Sequence, residues 1–388
     1  MKKSINHLYL IALLAILSAI APVSIATYIP AMPSMAIHFK SNIDKIELSL
    51  SIFLIGFSIG QIFGGILSDR MGRKKSSLIG LFGFALFSFI IIFSQSVYEL
   101  WIFRFCEAFF GGLIVVNGTA TVRDIFKGKE AAKVFSLIGT VRSLAPLLSP
   151  AIGASIIHFY SWKAIFIFLT LYALGVAFFI MKDFEETYTY TKRSVIESYK
   201  IVLMHKKAML MVAVLALGFS GMFSLVAKAS FIYIQYFKLS TDAFPLYYGL
   251  NFIGLMLMAG LNVKLLHYFS QVSIVKTAIF VQICAGLLFA LNNASMSLPL
   301  AMVLLGAFIS MNGLIYGNCT ALVLENFSKN AGVASSITGV IQFGSASLIS
   351  SLIVLFHGET LLPIGIGMFL ISSSAFLVLH RYSKNTKG

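Results

Sequence analysis

The chain has 388 residues, of which 59% are hydrophobic and only 11% charged; a soluble domain carries about 25% charged residues, so a soluble enzyme is excluded. Its net charge of +15 does not indicate a nucleic-acid binder, because the basic residues are dealt out between apolar runs rather than gathered on one face. Residues 208–227, 277–324, 330–358 and 360–379 carry no formal charge, and about 20 apolar residues suffice to cross a bilayer.

In chain order the apolar runs predict twelve spans: 8–30, 46–67, 77–94, 100–122, 133–158, 163–181, 208–234, 244–264, 273–291, 298–322, 331–356 and 360–380. Each is expected to be a helix, which satisfies its own backbone polar groups in lipid. The expected fold is therefore an all-α membrane protein of two six-helix bundles. Met1-Lys2-Lys3 before apolar Leu8–Ile20 has the outline of a signal peptide, but no small-residue cleavage site precedes Pro22. It is read as a retained first helix. The longest connection, 182–207, is polar and holds six Lys or Arg. It is expected to be a cytoplasmic central loop between an N-terminal bundle, 1–181, and a C-terminal bundle, 208–388.

Loops on alternate sides of these spans hold 22 and 4 Lys or Arg residues. Basic residues accumulate on the cytoplasmic side, so both termini are expected in the cytoplasm of a bacterial cell, with the chain in its inner membrane. An internal repeat supports two halves. Gly112–Phe126 (GLIVVNGTATVRDIF) and Gly313–Phe327 (GLIYGNCTALVLENF), offset by 201 residues, share eight of fifteen positions and set Asp124 opposite Glu325. Parallel six-helix repeats are a transporter plan with the solute site between the halves.

Between spans 2 and 3 lies Gly65-Ile66-Leu67-Ser68-Asp69-Arg70-Met71-Gly72-Arg73-Lys74-Lys75. Gly72 permits a tight turn, and Asp69 can accept charge-assisted hydrogen bonds. The stretch resembles the G-x-L-a-D-r-x-G-r-k signature of the major facilitator superfamily. That resemblance implies a charge latch of Asp69, Arg73 and Asp124 that stabilises an outward-facing state, with Gly65, Arg70 and Gly72 completing the gating motif. In span 5, Ala145–Ala154 (APLLSPAIGA) combines small residues, which let helices approach, with prolines, which bend them. It is similar to the superfamily's antiporter motif, here carried by Pro146, Ser149, Pro150 and Gly153. Tyr28–Pro33 (YIPAMP), Val122–Ile125 (VRDI), Gly221–Ile234 and Ala331–Ser336 (AGVASS) resemble the Bcr/CflA drug-resistance subfamily. The resemblance implies export of small amphipathic molecules in exchange for protons.

Charged residues inside spans are costly and usually mark a pathway. They are Arg104, Glu107, Arg142 and Lys228. Arg104 and Glu107, three apart, share a helix face. Arg104 matches the family's R-x-x-Q-G motif, which implies a part in proton transfer, with Glu107 replacing Gln. The pair is either a proton carrier or a permanent ion pair. Ala26 stands where the subfamily often has an acid, so Glu107 is the candidate replacement. Arg142 and Lys228 raise an alternative, a proton-coupled transporter of one anionic metabolite, although Lys228 is placed near a span end where it could snorkel. Tyr28, Phe57, Phe231, Tyr233 and Phe343, with Arg142 and Lys228, are candidates for the substrate cavity. Trp101 and Trp162 fall at span ends, as interfacial anchors do. The three cysteines have neither metal-site nor disulfide spacing. With no Ser-His-Asp set, P-loop or metal cluster in the sequence, no cofactor is expected and the energy source is a proton gradient. The expected partners are a small-molecule substrate, protons and the lipid bilayer, with a monomer sufficient. A non-transporting membrane sensor is a third reading, disfavoured by the short loops.

Overall fold

A computed structural model describes residues 7–126, 128–187, 195–327, 331–356 and 360–384. The chain divides into two compact units, Met1–Lys192 and Arg193–Gly388. The first holds α1 (His7–Tyr28), α2 (Met32–His38), α3 (Ile43–Met71), α4 (Arg73–Ile91), α5 (Val97–Ile125), α6 (Gly128–Phe159) and α7 (Lys163–Asp183). The second holds α8 (Val195–Met204), α9 (Lys206–Ala227), α10 (Phe244–Leu265), α11 (Gln271–Leu291), α12 (Leu298–Leu324), α13 (Ala331–Leu355) and α14 (Leu362–Lys384). Each expected span is occupied by a helix. Span 1 runs past its expected end: a 3-10 turn at Ile29–Ala31 joins α1 to α2, so the apolar helix reaches His38. The central stretch, expected as loop, carries α8, whose Val202 is buried in the core of the second unit. Among the described residues, ten segments are long and apolar enough to cross a membrane. The 29 residues of α5 and the 32 of α6 exceed the length a bilayer requires.

Local chemistry sets the helix ends. Gly72 terminates α3 with φ of 90°, donating its N–H to Ser68 O, a conformation that favours glycine. Ser96 caps α5 by accepting from Glu99 N, and Glu99 reaches back to Gln95 N, close to a capping box. Pro245 and Pro299 open α10 and α12, where their missing N–H costs nothing.

Each unit repeats one packing plan. In the first, α5 packs on α3 and α4, α4 on α7, and α1 on α6; in the second, α12 packs on α10 and α11, α11 on α14, and α9 on α13. The equivalent asparagines of the sequence repeat are both buried and tie neighbouring helices: Asn117 donates to Ser76 Oγ at 2.9 Å and Asn318 to Asn262 Oδ1 at 2.7 Å. Trp162 is buried against His38, Phe39 and Phe166, so it packs the bundle rather than anchoring it in the interface.

The seam between α3 and α5 depends on a stripe the sequence reading passed over, Gly56, Gly60 and Gly64. A Cβ on these residues would meet the backbone of Phe105, Phe109 and Leu113. Small residues four apart let two helices approach closely in lipid. Gly60→Ala is expected to cost about 1–3 kcal/mol through overpacking, read as a lowered unfolding temperature in detergent. Gly175→Ala, on the exposed face of α7 with nothing within 4 Å of the new Cβ, is expected to cost nothing.

Candidate functional site

The centre of the first unit holds one charged cluster. Arg104 and Glu107, both 0% exposed, face the interior from adjacent turns of α5. Arg104 Nη1 contacts Glu107 Oε2 at 2.7 Å and donates to Ser24 Oγ of α1 at 2.9 Å. Ser88 of α4 donates to Glu107 Oε1 at 2.9 Å, and Ser24 Oγ donates to the same oxygen at 3.3 Å. Both carboxylate oxygens are therefore engaged. The guanidinium lies over the rings of Phe53 (4.4 Å), Tyr28 (4.6 Å) and Phe166 (5.9 Å). Its Nε and Nη2 have no hydrogen-bond partner, so ring faces stand where water would otherwise be, and cation–π attraction offsets part of the desolvation. Tyr28 Oη pairs with Ser49 Oγ of α3 at 2.9 Å. This one cluster touches α1, α3, α4, α5 and α7.

Glu47 falls just inside the expected start of span 2 and was missed by the sequence reading. It is 0% exposed in α3 and lies within electrostatic reach of Tyr28, as do Arg104 and Glu107. Ser24 and Ser88 left no sequence signal, because isolated serines in apolar helices are common and only the fold brings these two to Glu107.

The gating motif forms a second constellation at the end of α3. Arg73 bridges Asp69 Oδ1 at 2.7 Å and Asp124 Oδ2 at 2.9 Å, and also donates to Ser68 Oγ at 2.7 Å. The ends of α3, α4 and α5 are tied by this one guanidinium. Glu186, beyond α7, accepts from Arg73 N at 2.8 Å and Lys74 N at 3.2 Å, where the α4 N-terminus favours an anion. A side chain at Gly72 would collide with that carboxylate. Thr187 Oγ1 adds a bond to Asp124 Oδ2 at 3.3 Å. Glu186 and Thr187 were not anticipated, since they belong to the long connection. Gly65 has open space around it and Arg70 is exposed.

The antiporter motif places Pro146 and Pro150 inside α6, with Ser149 and Pro150 buried. Gly153 packs on the α1 backbone, where a Cβ would strike Thr27 O. Helix α6 and the interrupted first span thus approach closely at Gly153. Arg142 lies in α6, and its side chain is outside the described residues.

In the second unit Lys228 caps the end of α9 and is 5% exposed, with its Nζ 5.0 Å from the Phe231 ring centroid. It is enclosed by protein rather than exposed, and a π-helical turn at Phe231–Tyr236 carries the chain onward beyond it. Tyr233 is buried, accepts from Asn251 Nδ2 and continues through Phe244 and Tyr248 to Phe252 as stacked and tilted rings. Phe343 of α13 packs edge-on against Phe219 of α9 at 5.1 Å. In the first unit Phe57 is buried and stacks on Phe53 at 6.3 Å. Tyr28, Phe57, Phe231 and Tyr233 are thus all buried. Among the described residues no group of three or more His, Cys, Asp or Glu is placed to hold a metal.

The sequence profile of the Major Facilitator Superfamily matches residues 14–351. The chain belongs to this superfamily. It is a multi-pass membrane transporter. It is 27% identical to a bicyclomycin resistance protein homolog of Haemophilus influenzae, over 90% of each chain. It is 22% identical to the multidrug resistance protein MdtL of Vibrio parahaemolyticus, over 84% of this chain and 83% of that one. A crystal structure of a D-xylose-proton symporter superposes with a TM-score of 0.73 at 15% identity, covering 97% of both chains, which shows the shared superfamily fold.

Removing one member of a buried ion pair costs about 3–5 kcal/mol, because the other charge is left uncompensated. Arg104→Met is therefore expected to lower the unfolding temperature sharply, and Arg104→Met/Glu107→Leu to restore much of the loss. The deficit of the single variant should shrink as pH falls, since a protonated Glu107 is neutral. Calorimetry or dye-monitored melting across pH checks all three.

Proposed function

We propose that this transporter exports small amphipathic molecules by proton antiport through alternating access, with Glu107 as the proton-exchanging group and Arg104 as its counter-charge. What carries the reading is a fully enclosed carboxylate in α5, held by an arginine and two serines from two other helices. A proton arriving on Glu107 cancels its attraction for Arg104. That frees a guanidinium to which α1, α3 and α7 all contribute partners, so one protonation event acts on several helices at once. The name of the Haemophilus relative supports a drug-like solute, and the absence of an acid at Ala26 makes Glu107 the natural acceptor in this chain.

In this account the Asp69–Arg73–Asp124 latch holds one state of the cycle, and the small-residue seam of α6 supplies the pliable joint. The chain works as a monomer in a bacterial inner membrane with both termini in the cytoplasm, driven by the proton gradient and without a cofactor. Lys228 favours a second reading, carriage of one anionic metabolite, because a buried cation in a span is an anion's natural partner. Lys228→Gln that abolishes anion flux while sparing cationic drugs would decide for it.

The test uses purified protein in liposomes with a trapped pH dye and a panel of antibiotics and anionic metabolites. Wild type is expected to move protons opposite to solute. Glu107→Gln is expected to abolish proton movement, and Glu47→Gln to leave its stoichiometry unchanged. Solute flux without proton movement in wild type contradicts antiport; unaltered coupling in Glu107→Gln contradicts the choice of carrier, and loss of coupling in Glu47→Gln transfers the role to that residue.

A further inference from the structure

The second unit has a cleft unconnected with the buried charges. It lies where α8 ends, α9 begins and α14 makes its last turn, and has a volume of about 510 Å³. Its lining is of two kinds: the basic Lys206, Arg381 and Lys384, and the apolar Leu203, Met209 and Leu210. No acidic residue lines it. All three cations are exposed, and none makes a hydrogen bond or ion pair with the described protein. Lys206 is the first residue of α9, so the partial positive charge of a helix N-terminus adds to the three formal charges.

The surroundings are those of a membrane edge. Helices α9 and α14 are both apolar enough to span a bilayer, and the cleft lies at their ends. Helix α8 buries Val202 but leaves Ile201 at 50%, Leu203 at 51% and Met204 at 68% exposed. A short helix with one apolar face outward beside basic residues suits the interface plane of a bilayer.

We infer that this cleft binds an anionic phospholipid, its phosphate held by Lys206, Arg381 and Lys384 and an acyl chain lying along Leu203, Met209 and Leu210. Charge complementarity selects an anion, and the apolar half of the lining selects a lipid over a free ion. Basic pockets at the ends of membrane helices take anionic head groups in this manner. The site does not depend on which solute is carried or on proton coupling.

Native mass spectrometry of the full-length protein in detergent tests it, with phosphatidylglycerol and phosphatidylcholine of matched acyl chains as probes. Wild type is expected to retain phosphatidylglycerol and not phosphatidylcholine. Arg381→Gln/Lys384→Gln is expected to weaken retention about thirtyfold. Lys264→Gln/Lys276→Gln, which removes exposed cations outside the cleft, is expected to match wild type. Equal retention of the two lipids by wild type overturns the proposal, as does undiminished phosphatidylglycerol binding in Arg381→Gln/Lys384→Gln. Displacement of the lipid by millimolar inorganic phosphate overturns the lipid assignment and leaves a free-anion site.

Discussion

A charge pair sealed inside an apolar bundle constrains everything around it. Arg104 and Glu107 are both 0% exposed, and an isolated charge at that depth would be too costly to keep. Five helices therefore supply what water would have supplied: hydroxyls from Ser24 and Ser88 for the carboxylate, and ring faces from Tyr28, Phe53 and Phe166 for the guanidinium. The close α3–α5 seam built on Gly56, Gly60 and Gly64 brings Phe53 near enough to serve. A change in the charge of the pair is consequently felt by α1, α3, α4, α5 and α7 together. Such a cluster suits coupling, because a small chemical event acts on many packed contacts.

The two units share a packing plan but not this chemistry. At the offset of 201 residues, Arg104 and Glu107 correspond to Leu305 and Phe308, both buried and apolar. Arg73 corresponds to Ile274, and among the described residues of the second unit no ion pair ties three helix ends as Arg73 does. What the second unit keeps is the buried asparagine, Asn318 for Asn117, which hydrogen-bonds a neighbouring helix in both. Duplication thus preserved the scaffold, while the ionisable groups were concentrated in one half. The second unit's own buried cation, Lys228, sits elsewhere, at a break where α9 gives way to a π-helical turn. Such turns recur at functional sites.

The twelve spans were legible because hydrophobicity over 20 residues is a one-dimensional property, and the repeat because eight identities fell at one offset. Arg104 and Glu107 could be paired on paper from their spacing alone. The rest of the cluster could not. Ser24 and Ser88 are 83 and 19 residues from Glu107, and nothing local marks them. Glu47 falls within the expected span 2, but nothing local shows that its carboxylate is sealed inside the bundle. Glu186 was hidden in a stretch read as loop, although its position beside the first turn of α4 follows once α7 is seen to end at Asp183. For Lys228 the sequence left burial and snorkelling both open, and only the packing of Phe231 beside it shows that it is enclosed.

In the proposed mechanism Glu107 changes protonation when solute is bound. Infrared difference spectroscopy on the reconstituted protein, recorded as a transported solute is added, reads a carboxyl group gaining or losing a proton directly. The account predicts a protonated-carboxyl band that changes on solute addition in wild type and is missing in Glu107→Gln. A spectrum with no carboxyl change, or with the same change in the variant, would contradict it and leave Arg104 and Glu107 as a fixed internal brace.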